Sequence, residues 1–119
     1  MAENNYITMN MEKGVFYISD EVISGIVRPA VSEVDGVAEL TSAPGNGITE
    51  YMGKNSFRGI KVRFENQKII VDVVITVAYG FNIVEVANNT QKAVCSSIQN
   101  MTGFDDVAAN VHVAGISFK

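Results

Sequence analysis

Cysteine and histidine each occur only once in this 119-residue chain, as Cys95 and His112. A lone cysteine cannot close an intramolecular disulfide, so a disulfide framework is excluded and a reducing, cytoplasmic compartment fits. One His and one Cys, with no CxxC or HExxH pattern, fall short of the clustered ligands that zinc, iron or copper requires. Asp105 and Asp106 are two adjacent carboxylates without the ligand count of a calcium site, and read as a solvated turn. A nucleophile-plus-base pair would have to be built from Cys95 and His112 alone. Cys95 lies in the middle of a helical pattern, far from a helix amino terminus that would activate it. His112 sits on a strand face opposite a row of valines, and both residues read as structural side chains.

Long apolar runs are also missing. No stretch approaches the roughly 18 uninterrupted apolar residues of a membrane-spanning helix, and residues 1 to 13 lack a basic start followed by an apolar run. Direct membrane insertion is therefore not expected, and contact with a membrane would need another molecule. A basic excess is absent as well: nine Lys and Arg stand against thirteen Asp and Glu, a net charge of −4 that argues against a general nucleic-acid binder.

The chain is 47% hydrophobic and 18% charged, proportions of a folded globular domain of one core. Residues 1 to 13 read as a flexible leader and residues 14 to 119 as a single domain. Val15 to Ile18 is a short strand that stops at Ser19, a helix cap, with Asp20 and Glu21 in the first turn. Val22, Ile23, Ile26, Val27, Ala30, Val31 and Val34 then recur at helical spacing up to Gly36. Pro29 falls inside that helix, where a kink is expected, eased by Gly25 four residues earlier.

Val37 to Leu40 is the next strand. The Ser, Thr, Gly, Asn and Pro of residues 41 to 58 form the longest irregular stretch, and its Gly45-Asn46-Gly47 is a turn signal without the flanking strand and helix of a phosphate loop. Ile60, Val62 and Phe64 alternate with Lys61 and Arg63, giving a strand with one buried and one basic face. After a turn at residues 65 to 68, Ile69 to Tyr79 is apolar on both sides apart from Asp72, as a central strand tends to be. Asp72 is placed to pair with Lys61 or Arg63 across the hairpin.

Asn82 and Glu85 open a second helix in the manner of a capping box, Gly103 ends it, and Val107, Ala109, Val111 and Val113 mark the inner face of the last strand. The order β-α-β-β-β-α-β predicts an α/β (α+β) two-layer sandwich: one mixed sheet with both helices on one face, since right-handed crossovers place them together.

Two surfaces are candidates for contact. Lys54, Arg58, Lys61, Arg63 and Lys68 concentrate positive charge against only Glu65, whereas residues 1 to 50 hold eight acids against Lys13 and Arg28. This is either a solvated outer face that blunts edge pairing or a patch for an acidic surface of a second copy or partner, ahead of nucleic acid because aromatic residues are scarce there. Ile70, Val74 and Ala78 form a semi-apolar second face on the central strand, a candidate self-association surface.

Three stretches carry a resemblance. They are GVFYISDEVISGIVRPAVSEVDGVAEL, MGKNSFRGIKVRFENQKIIVDVVITVAYG, and NIVEVANNTQKAVCSSIQNMTGF followed by VHVAGISF. The most specific parts are Ala78-Tyr79-Gly80, Ile83-Val84-Glu85-Val86-Ala87 and Met101-Thr102-Gly103. Over residues 14 to 118 the chain resembles the alkaline-shock, or general (envelope) stress, protein family of Gram-positive bacteria. That resemblance implies a cytoplasmic protein linked to cell-envelope stress, held at the membrane in some members by a separate anchoring protein and able to form assemblies. It carries over no catalytic residues and no cofactor. The expectation is a non-enzymatic scaffold or adaptor that forms homo-oligomers, with a small nucleic-acid-binding module built on the basic hairpin as the alternative.

Overall fold

A computed structural model of the chain describes residues 6–41 and 59–118. Residues 1–5 of the expected leader and most of the irregular stretch, including Gly45-Asn46-Gly47, Lys54 and Arg58, lie outside the described residues. The elements are β1 (Tyr6–Met11), β2 (Gly14–Ser19), α1 (Asp20–Ser32), β3 (Val37–Leu40), β4 (Ile60–Glu65), β5 (Lys68–Ala78), α2 (Ile83–Thr102) and β6 (Val107–Ser117). The two-layer α+β arrangement expected from the sequence is the one observed.

Strand β5 is the axis. Along its first half it pairs antiparallel with β4, from Glu65 opposite Lys68 to Ile60 opposite Val73. Along its second half the same edge pairs antiparallel with β3, where Leu40 faces Ile75 and Val37 faces Val77. Its other edge pairs in parallel with β6 over nearly its whole length. Period-two alternation decides the rest: Ile69, Val71, Val73, Ile75 and Val77 are fully buried while the intervening residues are half-exposed. Each such aliphatic side chain contributes about 1.5–3 kcal/mol relative to exposure. They pack with Ile23, Val27 and Val31 of α1 and Val94 and Ile98 of α2 in one core.

The helix boundaries follow their caps. Ser19 is the N-cap of α1 and accepts a hydrogen bond from Val22 N–H at 3.4 Å. The Asp20 carboxyl is pushed above the usual carboxylate range, first by burial and then by Glu21, against backbone hydrogen bonds that lower it, so its place in the first turn stabilises the helix less than position alone suggests. Pro29 lies in the last turn of α1, which ends three residues later at Ser32. In α2, Asn82 accepts from Glu85 N–H at 2.9 Å, and Gly103 closes the helix in the left-handed region at φ 83°.

The structure corrects the sequence expectation in two places. Tyr6–Met11, read as part of a leader, is a strand whose residues pair antiparallel with Gly14–Ser19. The first expected strand, β2, therefore belongs to a separate two-stranded sheet and not to the main one. Ile7 anchors this hairpin in the core, and Gln67 donates from its side-chain amide to the Thr8 carbonyl at 2.9 Å. The two-residue β4–β5 turn places both Asn66 and Gln67 at positive φ, 52° and 64°, as a type I′ hairpin demands, and the Gln67 side chain supplies that clamp.

Strands β3 and β4 are two parts of one interrupted line. Thr41 N–H donates to the Val74 carbonyl at 2.9 Å, and Val74 N–H donates to the Gly59 carbonyl at 2.9 Å, so the chain leaves and rejoins the same edge opposite one residue. Gly59 is required there: it has φ +78°, and an added Cβ would lie 2.7 Å from the Thr41 carbonyl oxygen. Gly59→Ala is expected to destabilise the protein by roughly 1–3 kcal/mol, read as a lowered midpoint in urea. Joining Thr41 to Gly59 in place of residues 42–58 is expected to preserve the far-ultraviolet circular dichroism spectrum, because two residues opposite one is the geometry of a β-bulge.

Candidate interaction surface

Both helices cover one face of the main sheet, and among the described residues no helix covers the other. The open face displays Lys61, Arg63 and Glu65 of β4, Ile70, Asp72, Val74, Thr76 and Ala78 of β5, and Asn110 and His112 of β6. The structure brings the expected Ile70, Val74 and Ala78 together with part of the expected basic patch on this single surface.

Register places the polar groups. Arg63 stands opposite Ile70, one row from Asp72, and Asn110 stands opposite Asp72 on the other side. Arg63 Nη2 lies 3.3 Å from Asp72 Oδ2 and Nη1 lies 3.1 Å from Glu65 Oε2. Asn110 Nδ2 donates to Asp72 Oδ1 at 2.8 Å. A chain of polar contacts therefore crosses three strands with Asp72 at its centre, both of its oxygens engaged. Sequence reasoning named Arg63 as a partner for Asp72 but missed Asn110, whose position opposite the valine row was its only signal.

The same pairing changes the basic patch. Arg63 is held by two carboxylates, and Lys68 Nζ lies 3.7 Å from Asp106 Oδ1. Among the described residues of the patch, only Lys61 is without an ion pair. Opposite charges at these distances cancel much of each other's field beyond a Debye length of roughly 8–10 Å, so the face is polar and mixed in sign.

Cys95 and His112 are not brought together. Cys95 lies on α2, over the helix-covered side, where its thiol points to the Val107 carbonyl at 3.7 Å; His112 is exposed on the open face. Burial pushes the Cys95 thiol above its usual value, the opposite of what a nucleophile needs. Among the described residues, no group of three or more His, Cys, Asp or Glu could hold a metal ion, and no helix is long and apolar enough to cross a membrane.

Asp72→Ala is expected to lower stability by about 1–2 kcal/mol, the loss of two partly exposed hydrogen-bonded contacts, measured by chemical denaturation. Alkylation of Cys95 by iodoacetamide at pH 8 is expected to run several-fold slower than that of a free thiol and to accelerate as pH rises, because the thiolate forms late.

Comparison with known proteins supplies the rest. Two solved structures of a MamM CTD superpose with TM-scores of 0.56 and 0.54 at 18% and 17% sequence identity, covering 81% and 84% of this chain and 96% and 88% of theirs; the second is a zinc form. At such identity the likeness shows the fold alone. The uncharacterized proteins YqhY and YloU of Bacillus subtilis (strain 168) are 36% and 33% identical over 99% and 92% of this chain, and 90% and 94% of their own lengths. A family model for the alkaline shock protein 23 family, of cell envelope-related function, matches residues 8–118, and the chain belongs to that family.

Proposed function

We propose that this protein acts without catalysis, as a self-associating scaffold or adaptor of the cell-envelope stress response, making its contacts through the open face of the sheet. The observation that carries the reading is the composition of that face. Ile70, Val74 and Ala78 are half-buried in a row, flanked by Arg63, Glu65 and Asp72, which are paired with one another. A sheet face that is partly apolar, and whose charges apart from Lys61 are already paired within the chain, presents fewer unpaired charges to a protein surface than a basic patch would.

The neutralised patch favours this reading over nucleic acid. A phosphate-binding face gains affinity from cations that are free to release counterions, and Arg63 and Lys68 are engaged with carboxylates. The family's cell envelope-related function fits a cytoplasmic protein that reaches the membrane through an anchoring protein partner. The mixed, hydrogen-bonded face is a surface on which such a partner or a second copy would sit.

Sedimentation velocity across protein concentration tests this reading. Self-association is expected, together with its loss on Val74→Glu and Ile70→Glu at unchanged circular dichroism. A strict monomer at several hundred micromolar, with no protein captured by crosslinking in the native host, overturns it.

A further inference from the structure

The outer edge of β6 pairs with no other strand among the described residues. Ile69 N–H donates to the Asp106 carbonyl, so residues 106, 108, 110 and 112 turn their backbone groups to β5 and the odd-numbered residues turn theirs to the free edge. Helix α2 covers part of that edge. Gln99 donates to the Asp105 carbonyl at 3.1 Å, the Cys95 thiol points to that of Val107 at 3.7 Å, and Gln91 donates to that of Ala109 at 2.7 Å.

The ladder is a consequence of matched spacing. Four helical residues rise about 6 Å and two strand residues about 6.6 Å, so each step along α2 meets the next outward carbonyl of β6. Continued, it would set Ala87 against Val111 and Ile83 against Val113. Neither side chain has a donor, and among the described residues no hydrogen bond from elsewhere reaches those two edge groups. Protection of the edge stops where the helix turns apolar, and Val84 beside it is 72% exposed. Beyond Val113 the register slips by one residue at Ala114, a bulge that bends the strand away. The uncapped stretch ahead of the bulge is therefore a short window, Val111 to Val113.

We propose that this window pairs with the same window of a second copy, antiparallel about a two-fold axis through His112. This rests on the self-association reading above and locates one of its contacts. In that register Val111 of each copy lies opposite Val113 of the other, and the four outward backbone groups of each window are all satisfied. The window holds no carboxylate, Lys or Arg, so symmetry brings no like-charged acids or fixed cations together within a chain of net charge −4. Self-pairing uses an edge that is identical on both copies, the simplest closed association. The two sheets become one, and their open faces join into a single surface.

Disulfide trapping tests the register. In a Cys95→Ser background, His112→Cys is expected to form a disulfide-linked dimer under mild oxidation, since residues facing across a non-hydrogen-bonded antiparallel pair have Cα atoms about 4.5 Å apart, within the range a disulfide spans. Ala108→Cys, on the same face but four residues from the axis, is expected to crosslink at least tenfold more slowly. Ala87→Gln, which extends the capping ladder without altering β6, and Val113→Pro, which deletes an edge N–H, are each expected to weaken dimerisation about tenfold or more in sedimentation while circular dichroism is unchanged. Equal crosslinking at residues 108 and 112, or unchanged association in both other variants, overturns the edge pairing. If association is then abolished by Val74→Glu, the scaffold reading stands without it; a strict monomer removes both.

Discussion

The constraint on which the structure depends is that β5 must be satisfied on every side by a chain with only one core. Its inward row is buried beneath two helices, one edge is taken by β6, and the other is shared by β3 and β4. An aliphatic row of this length cannot remain exposed in water, and unpaired backbone groups in the middle of a sheet cost about as much as lost hydrogen bonds. Apart from the β1–β2 hairpin, every other element is placed by these two demands. The helices are the cover, β6 is the parallel neighbour that a helical crossover delivers, and the interrupted β3–β4 line fills the remaining edge.

Sharing one edge between two short strands has a local cost, borne at Val74. There the chain departs after Thr41 and returns at Gly59, and the close approach of the two backbones leaves no room for a side chain at position 59. The break falls at the edge opposite Val74, whose side chain is on the open face, so it does not displace the core row. Fold and surface are thus separable: the helix-covered side holds the domain together, and the uncovered side carries no part of the buried row.

That uncovered side is organised by electrostatics more than by shape. Asp72 is the only charged residue in β5 between Lys68 and Ala78, and it is tolerated because Arg63 and Asn110 approach it from both neighbouring strands. A carboxylate without them in a half-buried strand would be destabilising. The same contacts draw Arg63 away from the basic patch. The geometry that makes Asp72 acceptable also makes the face neutral in sign, which favours a protein partner over a polyanion.

Much of this was legible in the residue order. The caps at Ser19 and Asn82, the left-handed glycine at Gly103, the valine row of β6 and the two-sided apolarity of β5 are local signals, each set by a few neighbouring residues. The strand at Tyr6–Met11 was missed although Ile7, Met9 and Met11 alternate, because a six-residue alternation reveals a strand only when its partner is known. The open-face row of Ile70, Val74 and Ala78 was visible as a period of two, but the neutrality of the basic patch was not. Sequence by itself determined the elements from β2 onward, their order and the ligand chemistry the chain has little of, since these follow from spacing and composition. Tertiary structure alone decided which charges meet, which strand shares an edge with which, and how far α2 shields β6, because these depend on contacts between different elements, 38 positions apart for Asp72 and Asn110 and 18 for Gln91 and Ala109, and on a register that no local pattern encodes.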